Sequence, residues 1–294
     1  MSLLVILGPT AVGKTMLAVN LAAELHGEVI SADSRQVYQG MDIGTGKDLS
    51  EYTVNGSPIP HHLIDHKQAG DVYNVFEFQR DFYDAYHKII QNGKAPILCG
   101  GTGLYLEAAI AKEQMLEVPS KEELRQELSS LNQAELIEQL KTNSNSLHND
   151  TDLIDRERTI RAIEIEKFKV ISEPVKSPIQ EELVIGLRME RSKLRARIAH
   201  RLKLRLEEGM IEEVETLLKK GVTHEQLNYY GLEYRFVSQY LQKKISHEEM
   251  YELLLQAIRR FAKKQMTWYR RMEKKGVTIH WMDAEQTIDE KMNK

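Results

Sequence analysis

Gly8, Pro9, Thr10, Ala11, Val12, Gly13, Lys14 and Thr15 fit the pattern G-x-x-x-x-G-K-[S/T], whose chemistry is the binding of a diphosphate or triphosphate. The glycines let the backbone turn tightly, so successive N–H groups can face one anion. Lys14 adds a point charge, and the Thr15 hydroxyl is placed to meet a magnesium ion at a helix N-terminus. A second candidate is Asp33-Ser34. Beside a magnesium–phosphate site a carboxylate can order the metal's water shell or take up a proton, while the plainer alternative is a helix cap. Thr102, after Gly100-Gly101, is a third polar group of this kind. His61 and His62 are read as hydrogen-bonding residues: neighbours on a strand point to opposite faces and cannot share one metal.

These groups need elements to hold them. An apolar strand at 3–7 precedes the phosphate loop, and Leu17, Leu21 and Leu25 follow it at helical spacing. A strand over 28–32 ends at Asp33, residues 61–65 form a short strand, and 75–90 carry Phe78, Phe82, Tyr86 and Ile89 on a helical face. Residues 95–99 form a buried strand that stops at Gly100, and a helix starts at Leu104. Strand and helix thus alternate three times, which predicts an α/β fold: a P-loop NTPase-like parallel sheet flanked by helices. Such sheets bind ligands beyond the carboxyl ends of their strands, so the three polar motifs are expected to converge.

The pattern then changes. Residues 121–131, 133–142 and 156–168 are helical with almost no strand signal between them, and strands resume at 183–187 and 277–282. The expected organisation is a core of residues 1–112 and 183–294, including C-terminal helices, with a helical insertion at 113–182. A long helix over 192–219 carries Leu194, Ile198, Leu202, Leu206, Met210, Val214 and Leu218 as one apolar stripe. Lys193, Arg197, Arg201 and Arg205 form a second stripe about 100° away. Acidic residues are nearly absent from it, which favours lining an anion cleft over a solvated face.

The net charge of −4 hides this asymmetry. Residues 188–205 hold eight Lys/Arg against Glu190 alone, and 259–275 hold eight against Glu273 alone, whereas 113–166 are acidic. Local basic surfaces on a near-neutral chain suit a nucleic-acid partner. With 294 residues, 41% hydrophobic and 29% charged, the composition is that of a globular protein. The single cysteine, Cys99, excludes a disulfide framework and a cysteine-based zinc site. No apolar run reaches the length of a membrane span, and the first strand begins by Leu3, so we expect a cytoplasmic monomer. Physics alone leaves two classes open, a small-molecule kinase and a nucleic-acid-directed transferase.

Taken in order, the motifs resemble the tRNA dimethylallyltransferase (isopentenyltransferase) family. The matching stretches are Gly8-Pro9-Thr10-Ala11 with Gly13-Lys14-Thr15, Asp33-Ser34 with Gln36-Val37-Tyr38, and Met41-Asp42-Ile43-Gly44-Thr45. His61-His62-Leu63-Ile64-Asp65, Gly100-Gly101-Thr102-Gly103-Leu104-Tyr105, Arg158 with Arg161-Ala162-Ile163-Glu164, and Lys264-Gln265 with Thr267-Trp268 follow. The resemblance implies that the loop grips the diphosphate of dimethylallyl diphosphate, with Mg2+, and that the acceptor is the exocyclic amine of the adenine just 3′ of the anticodon in tRNA. It implies Asp33 as general base, and Thr10, Lys14, Thr15 and Arg201 around the leaving diphosphate. It further implies Asp33, Ser34, Arg35, Gln36 and Thr102 near the flipped-out base, and Arg125, Arg158 and Arg161 against the anticodon stem-loop.

The chain departs from the family pattern at several places. Val12 stands where serine is usual, Ile154 where Asn often precedes Asp155, and Gly46 and Asp48 flank Lys47 where Ala and Pro are usual. That predicts a looser loop at 46–48. Tyr230-Gly231-Leu232-Glu233-Tyr234 matches the family's Gly-Tyr-Lys/Arg-Glu element only loosely. The competing expectations are a free-nucleotide (AMP) prenyltransferase, a P-loop small-molecule kinase, and an RNA-binding relative without turnover.

Overall fold

The computed structural model describes residues 2–115, 117–118, 120–143, 156–168 and 175–292. Two compact units are present, one of Met1–Lys112 with Ser177–Lys294 and one of Glu113–Lys176. Residues 177–182, placed in the insertion from sequence, belong to the larger unit: the Leu3 N–H donates to Glu181 O, and Tyr83 pairs with Ser177.

The larger unit is built on a six-stranded sheet in the order β5-β2-β6-β1-β7-β8. Its strands are β1 (Leu3–Leu7), β2 (Gly27–Ser31), β5 (His61–His62), β6 (Ala95–Gly100), β7 (Glu182–Arg188) and β8 (Ile279–Asp283), and every pairing is parallel. On β1, Leu3, Val5 and Leu7 enter one core cluster and Ile6 the other, as a strand covered on both faces requires. Because β6 lies between β1 and β2, with Leu7 opposite Gly100 and Ser31 opposite Cys99, three strand ends lie side by side. The phosphate loop, Asp33 and Thr102 follow these ends directly.

The helices begin where capping chemistry dictates. α1 (Lys14–Glu24) starts from the phosphate loop, and α2 (Val75–Gln91) opens with a capping box of Asn74 and Glu77. α3 (Gly103–Ala109) follows β6. The expected long helix over 192–219 is two helices, α7 (Arg191–Glu207) and α8 (Met210–Lys219). Gly209, at φ 102°, breaks it, because a left-handed residue cannot continue a right-handed helix. After α9 (His224–Tyr229) and α10 (Leu232–Leu241), the 28-residue α11 (His247–Lys274) starts at a capping box of Ser246 and Glu249. It buries Leu254, Ile258, Gln265, Tyr269 and Met272 along one face. Sequence reasoning missed the hairpin of β3 (Thr53–Val54) and β4 (Ser57–Pro58), although its Asn55-Gly56 turn is a hairpin signal. The strand expected over 61–65 is only two residues, since Leu63 and Asp65 turn to positive φ.

The smaller unit packs α4 (Glu122–Ser129), α5 (Gln133–Asn143) and α6 (Arg156–Phe168) around Leu124, Leu128, Leu136, Leu140, Ile160 and Ile163. Glu164 is wholly buried there. Its carboxylate accepts from Arg125 Nε at 2.8 Å and Nη2 at 2.9 Å, from Arg161 at 3.2 Å and from the Lys121 N–H at 3.0 Å. Burial by itself would raise the Glu164 carboxyl, but these donors outweigh it and hold the pKa below the usual 4.5. Removing the carboxylate strands two arginines, so Glu164→Ala should destabilise this unit by about 3–5 kcal/mol. Faster amide exchange confined to 121–143 and 156–168 is the check. Since folding depresses this pKa, the contribution is complete above the unfolded carboxylate range and disappears as pH falls through the lower, folded value.

Candidate active site

The phosphate loop is held from beneath by α11. The Thr10 N–H donates to Gln265 Oε1 at 2.8 Å, and Gln265 Nε2 donates to Gly101 O at 2.9 Å. One turn on, the Tyr269 hydroxyl donates to Gly8 O at 3.0 Å and lies 3.3 Å from Gly101 O. Val12 is buried in the core beside Leu17, so its lack of a hydroxyl costs the loop nothing. Ala11 and Gly13 take positive φ, 63° and 98°, as the tight turn demands. Lys14 Nζ donates to Pro9 O at 3.0 Å, which folds the side chain back over the loop. Burial lowers the Lys14 pKa, with Cys99 and Asp33 acting the other way and Arg201 adding to the lowering. Less of its charge is hydrated, so more is available to an anion.

At the next strand ends, Asp33 Oδ1 accepts the Arg35 N–H at 2.9 Å, whereas Oδ2 has no partner among the described residues. Thr102 Oγ1 accepts the Ser34 N–H at 3.1 Å, joining the two loops. The Gln36 amide accepts from Ser31 at 3.0 Å and donates to Gly46 O at 3.0 Å, so it positions the neighbouring loop. Arg35 lies over the half-exposed Tyr229 ring at 5.0 Å from its centroid.

The loop at 46–48 is tight, contrary to the sequence expectation. Lys47 is fully buried and donates to Tyr38 O at 2.7 Å, to Asp42 at 2.6 Å and to Asp65. Glu213, on α8, accepts from the backbone N–H groups of Asp42, Ile43 and Gly44 at 2.8, 2.7 and 3.0 Å. Four charged side chains thereby fix a segment that has no regular structure of its own. The basic stripe of α7 likewise finds acidic partners that the helix itself does not carry: Arg201 with Asp48, Arg205 with Glu233, and Lys193 with Glu285. Arg197 has no ion pair among the described residues, and its Nη2 lies 3.8 Å from where a Cβ of Gly13 would be. It therefore stands at the phosphate loop.

Arg125 and Arg161, expected against RNA, both pair with Glu164 in the smaller unit and remain about one-third exposed. Arg158 is exposed on α6; Ile154 and Asp155 lie outside the described residues. Arg271, on α11, and Lys275, just after it, pair with Glu107, and Arg271 stacks over Trp268 at 4.0 Å. Arg260, Lys263, Lys264, Arg270 and Lys274 are exposed and have no ion pair among the described residues. A cavity of about 400 Å3, lined by His26, Glu28 and Lys94, contains none of these groups.

The sequence profile of the IPP transferase family matches residues 36–272, and that of the isopentenyl transferases matches residues 1–58. A tRNA dimethylallyltransferase 2 of Pelobacter propionicus is 53% identical, covering 96% of this chain and 90% of its own length. The chain belongs to the tRNA dimethylallyltransferase family. The tRNA dimethylallyltransferase 1 of Geotalea uraniireducens is 51% identical over 97% of this chain and 93% of its own. The solved tRNA isopentenylpyrophosphate transferase of Bacillus halodurans shares 34% identity at a TM-score of 0.72, covering 99% of this chain and 93% of that one. A eukaryotic dimethylallyltransferase acting on tRNA shares 26% at 0.77, covering 97% and 74%.

The phosphate loop, Asp33-Ser34 and Gly101-Thr102 thus meet at neighbouring strand ends of the larger unit, and Gln265 acquires a role that its motif did not reveal. Only the i, i+4 spacing of Gln265 and Tyr269 hinted at a shared face. Gln265→Leu leaves the Thr10 N–H and Gly101 O without their buried partner, a cost of about 1–3 kcal/mol. Amide exchange across residues 8–15 should accelerate accordingly; unchanged exchange there would show that the loop holds its shape without α11.

Proposed function

We propose that this family member transfers a dimethylallyl group from dimethylallyl diphosphate to the N6 amine of the adenine 3′ to the anticodon in tRNA, releasing diphosphate. The observation that carries the reading is the juxtaposition of the phosphate loop with an Asp33 carboxylate oxygen that has no partner among the described residues. An anion site and a proton acceptor at neighbouring strand ends suit an alkyl transfer in which one bond forms as a diphosphate leaves.

The adenine amine is a weak nucleophile because its lone pair is delocalised into the ring. As its bond to the allylic carbon forms, the C–O bond to the diphosphate breaks, and Asp33 Oδ2 takes the amine proton. Lys14, the loop N–H groups and Arg201 meet the charge that develops on the leaving oxygens. Arg197, at Gly13, is placed to join them. The bridge between Thr102 and Ser34 fixes the rim on which the base rests, with Arg35 and Gln36 beside it. Extruding a stacked base costs a few kcal/mol. Phosphate contacts from exposed cations such as Lys263, Lys264 and Arg270 can offset that cost; Arg125, Arg158 and Arg161 are the corresponding cations of the smaller unit.

The residues present also fit a magnesium ion. The Thr15 hydroxyl, on the first turn of α1, makes no hydrogen bond among the described residues, and oxygen donors are what a hard cation selects. When bound, the ion would neutralise charge on the diphosphate oxygens. A protein working on tRNA in this way would reside in the cytoplasm, and one chain holds all the groups named here.

Labelled dimethylallyl diphosphate and undermodified tRNA should give labelled tRNA, with the label on the anticodon-loop adenine. Label on free AMP but not tRNA would transfer the reading to a nucleotide prenyltransferase, and acceptor-dependent ADP release from ATP would make it a kinase. Asp33→Ala should lower transfer by about 10²–10⁴-fold while tRNA binding stays within a few-fold. Full turnover in that variant would exclude Asp33 as the base. Chelation of Mg2+ should weaken diphosphate binding, and Thr15→Ala should raise the Mg2+ concentration needed to restore it.

A further inference from the structure

Arg205, on α7, is buried and Glu233, on α10, is mostly so, and the reaction as described uses neither. Arg205 lies one turn beyond Arg201, and both guanidinium groups converge on Gly46. A Cβ at Gly46 would overlap Arg205 Nη2 and stand 2.7 Å from Arg201 Nη2. Arg205 is 8% exposed, and its Nε has no hydrogen-bond partner among the described residues. The Glu233 carboxylate is 3.8 Å from its Nη1, an ion pair too long to be a hydrogen bond. Arg201 in turn has Asp48 as its counter-ion.

Arg201, Arg205 and Glu233 line, with Thr10 and Ala11 of the phosphate loop, a half-open pocket of about 20 Å3. That is room for about one water molecule and not for a phosphate. Arg205 thus shares a small pocket with Thr10 and Ala11 of the phosphate loop, close enough to act on an anion there through space and through Arg201. Gly46, Asp48 and Glu233 meet here. Gly46 leaves the room that the Arg205 guanidinium fills, Asp48 balances Arg201, and Glu233 balances Arg205. Two guanidiniums and two carboxylates bring the formal charge of the cluster to zero.

We propose that Arg205, Glu233 and Asp48 are positioning residues that set how tightly Arg201 and the phosphate loop hold the diphosphate. Arg205 adds positive potential beside the loop, and the two carboxylates are resident counter-ions that compete with the bound anion. In a partly buried site, unit charges at such distances shift anion affinity appreciably. Balancing them lets the site hold the leaving group and still release it. Burial raises the Glu233 carboxyl and lowers the Arg205 guanidinium, which agrees with an incompletely compensated pair.

This inference rests on a diphosphate occupying the phosphate loop. The test is calorimetric titration of the full chain with inorganic diphosphate and Mg2+, with the KM for dimethylallyl diphosphate and for tRNA measured alongside. Arg205→Met should weaken diphosphate binding and raise the donor KM by about tenfold, with the tRNA KM unchanged. Arg205→Lys, which keeps the charge, should stay within a few-fold of wild type. Glu233→Gln and Asp48→Asn should both tighten diphosphate binding several-fold. Opposite signs mark a charge effect, because damage to the fold would weaken binding in every variant. Unchanged affinity in Arg205→Met, equal loss in Arg205→Lys, or weakening in the two carboxylate variants overturns the proposal. Failure of the wild-type protein to bind diphosphate overturns the diphosphate reading itself.

Discussion

One buried amide closes the site. Gln265 receives the Thr10 N–H and gives its own N–H to Gly101 O, so the turn after β1 and the turn after β6 share one side chain. A buried amide is costly unless both its ends are satisfied, and here each end is satisfied by a different loop. Tyr269 adds a second tie to Gly8. The phosphate loop is therefore tied to α11 at two points. The 28-residue length of α11 follows from the same demand, since the helix must span its packing layer and still present Gln265 and Tyr269 to the strand ends.

Charge around the site is balanced between elements rather than within them. The charged residues of α7 are all basic except Glu207, yet Arg201, Arg205 and Lys193 meet Asp48, Glu233 and Glu285 from three other segments. The segment after Asp33 is handled in the same manner: Lys47 is buried on two carboxylates, and Glu213 gathers three backbone N–H groups. Irregular chain so close to a sheet must satisfy its polar groups through side chains. The same side chains make the irregular segment stiff, which suits a rim that receives a nucleotide.

Much of this was legible beforehand. The six strands follow from apolar runs bounded by Gly, Asp and Pro, and α2, α4, α5 and α6 from apolar spacing. Legibility failed where one residue outweighed a period. Gly209 divides an apolar stripe that otherwise continues unbroken from Leu194 to Leu218, and Asn55-Gly56 makes a hairpin from strands too short to show alternation. The order of the loop at 46–48 is not legible in its own residues, because it comes from the ion pairs of Lys47 with Asp42 and Asp65 and of Arg201 with Asp48, whose partners lie elsewhere in the chain.

The chain by itself determined the local chemistry: a loop able to cradle phosphate, an aspartate after a strand, and a helix with one apolar and one basic stripe. These are set by residue type and short spacing, and they act over a few residues. Tertiary structure decided which groups meet. Placing β6 between β1 and β2 brings Asp33 and Thr102 beside the phosphate loop, and packing α11 beneath them supplies Gln265 from more than 250 positions away. It also decided which of the cations have counter-ions, since Coulomb attraction depends on distance in space and a sequence states only distance along the chain.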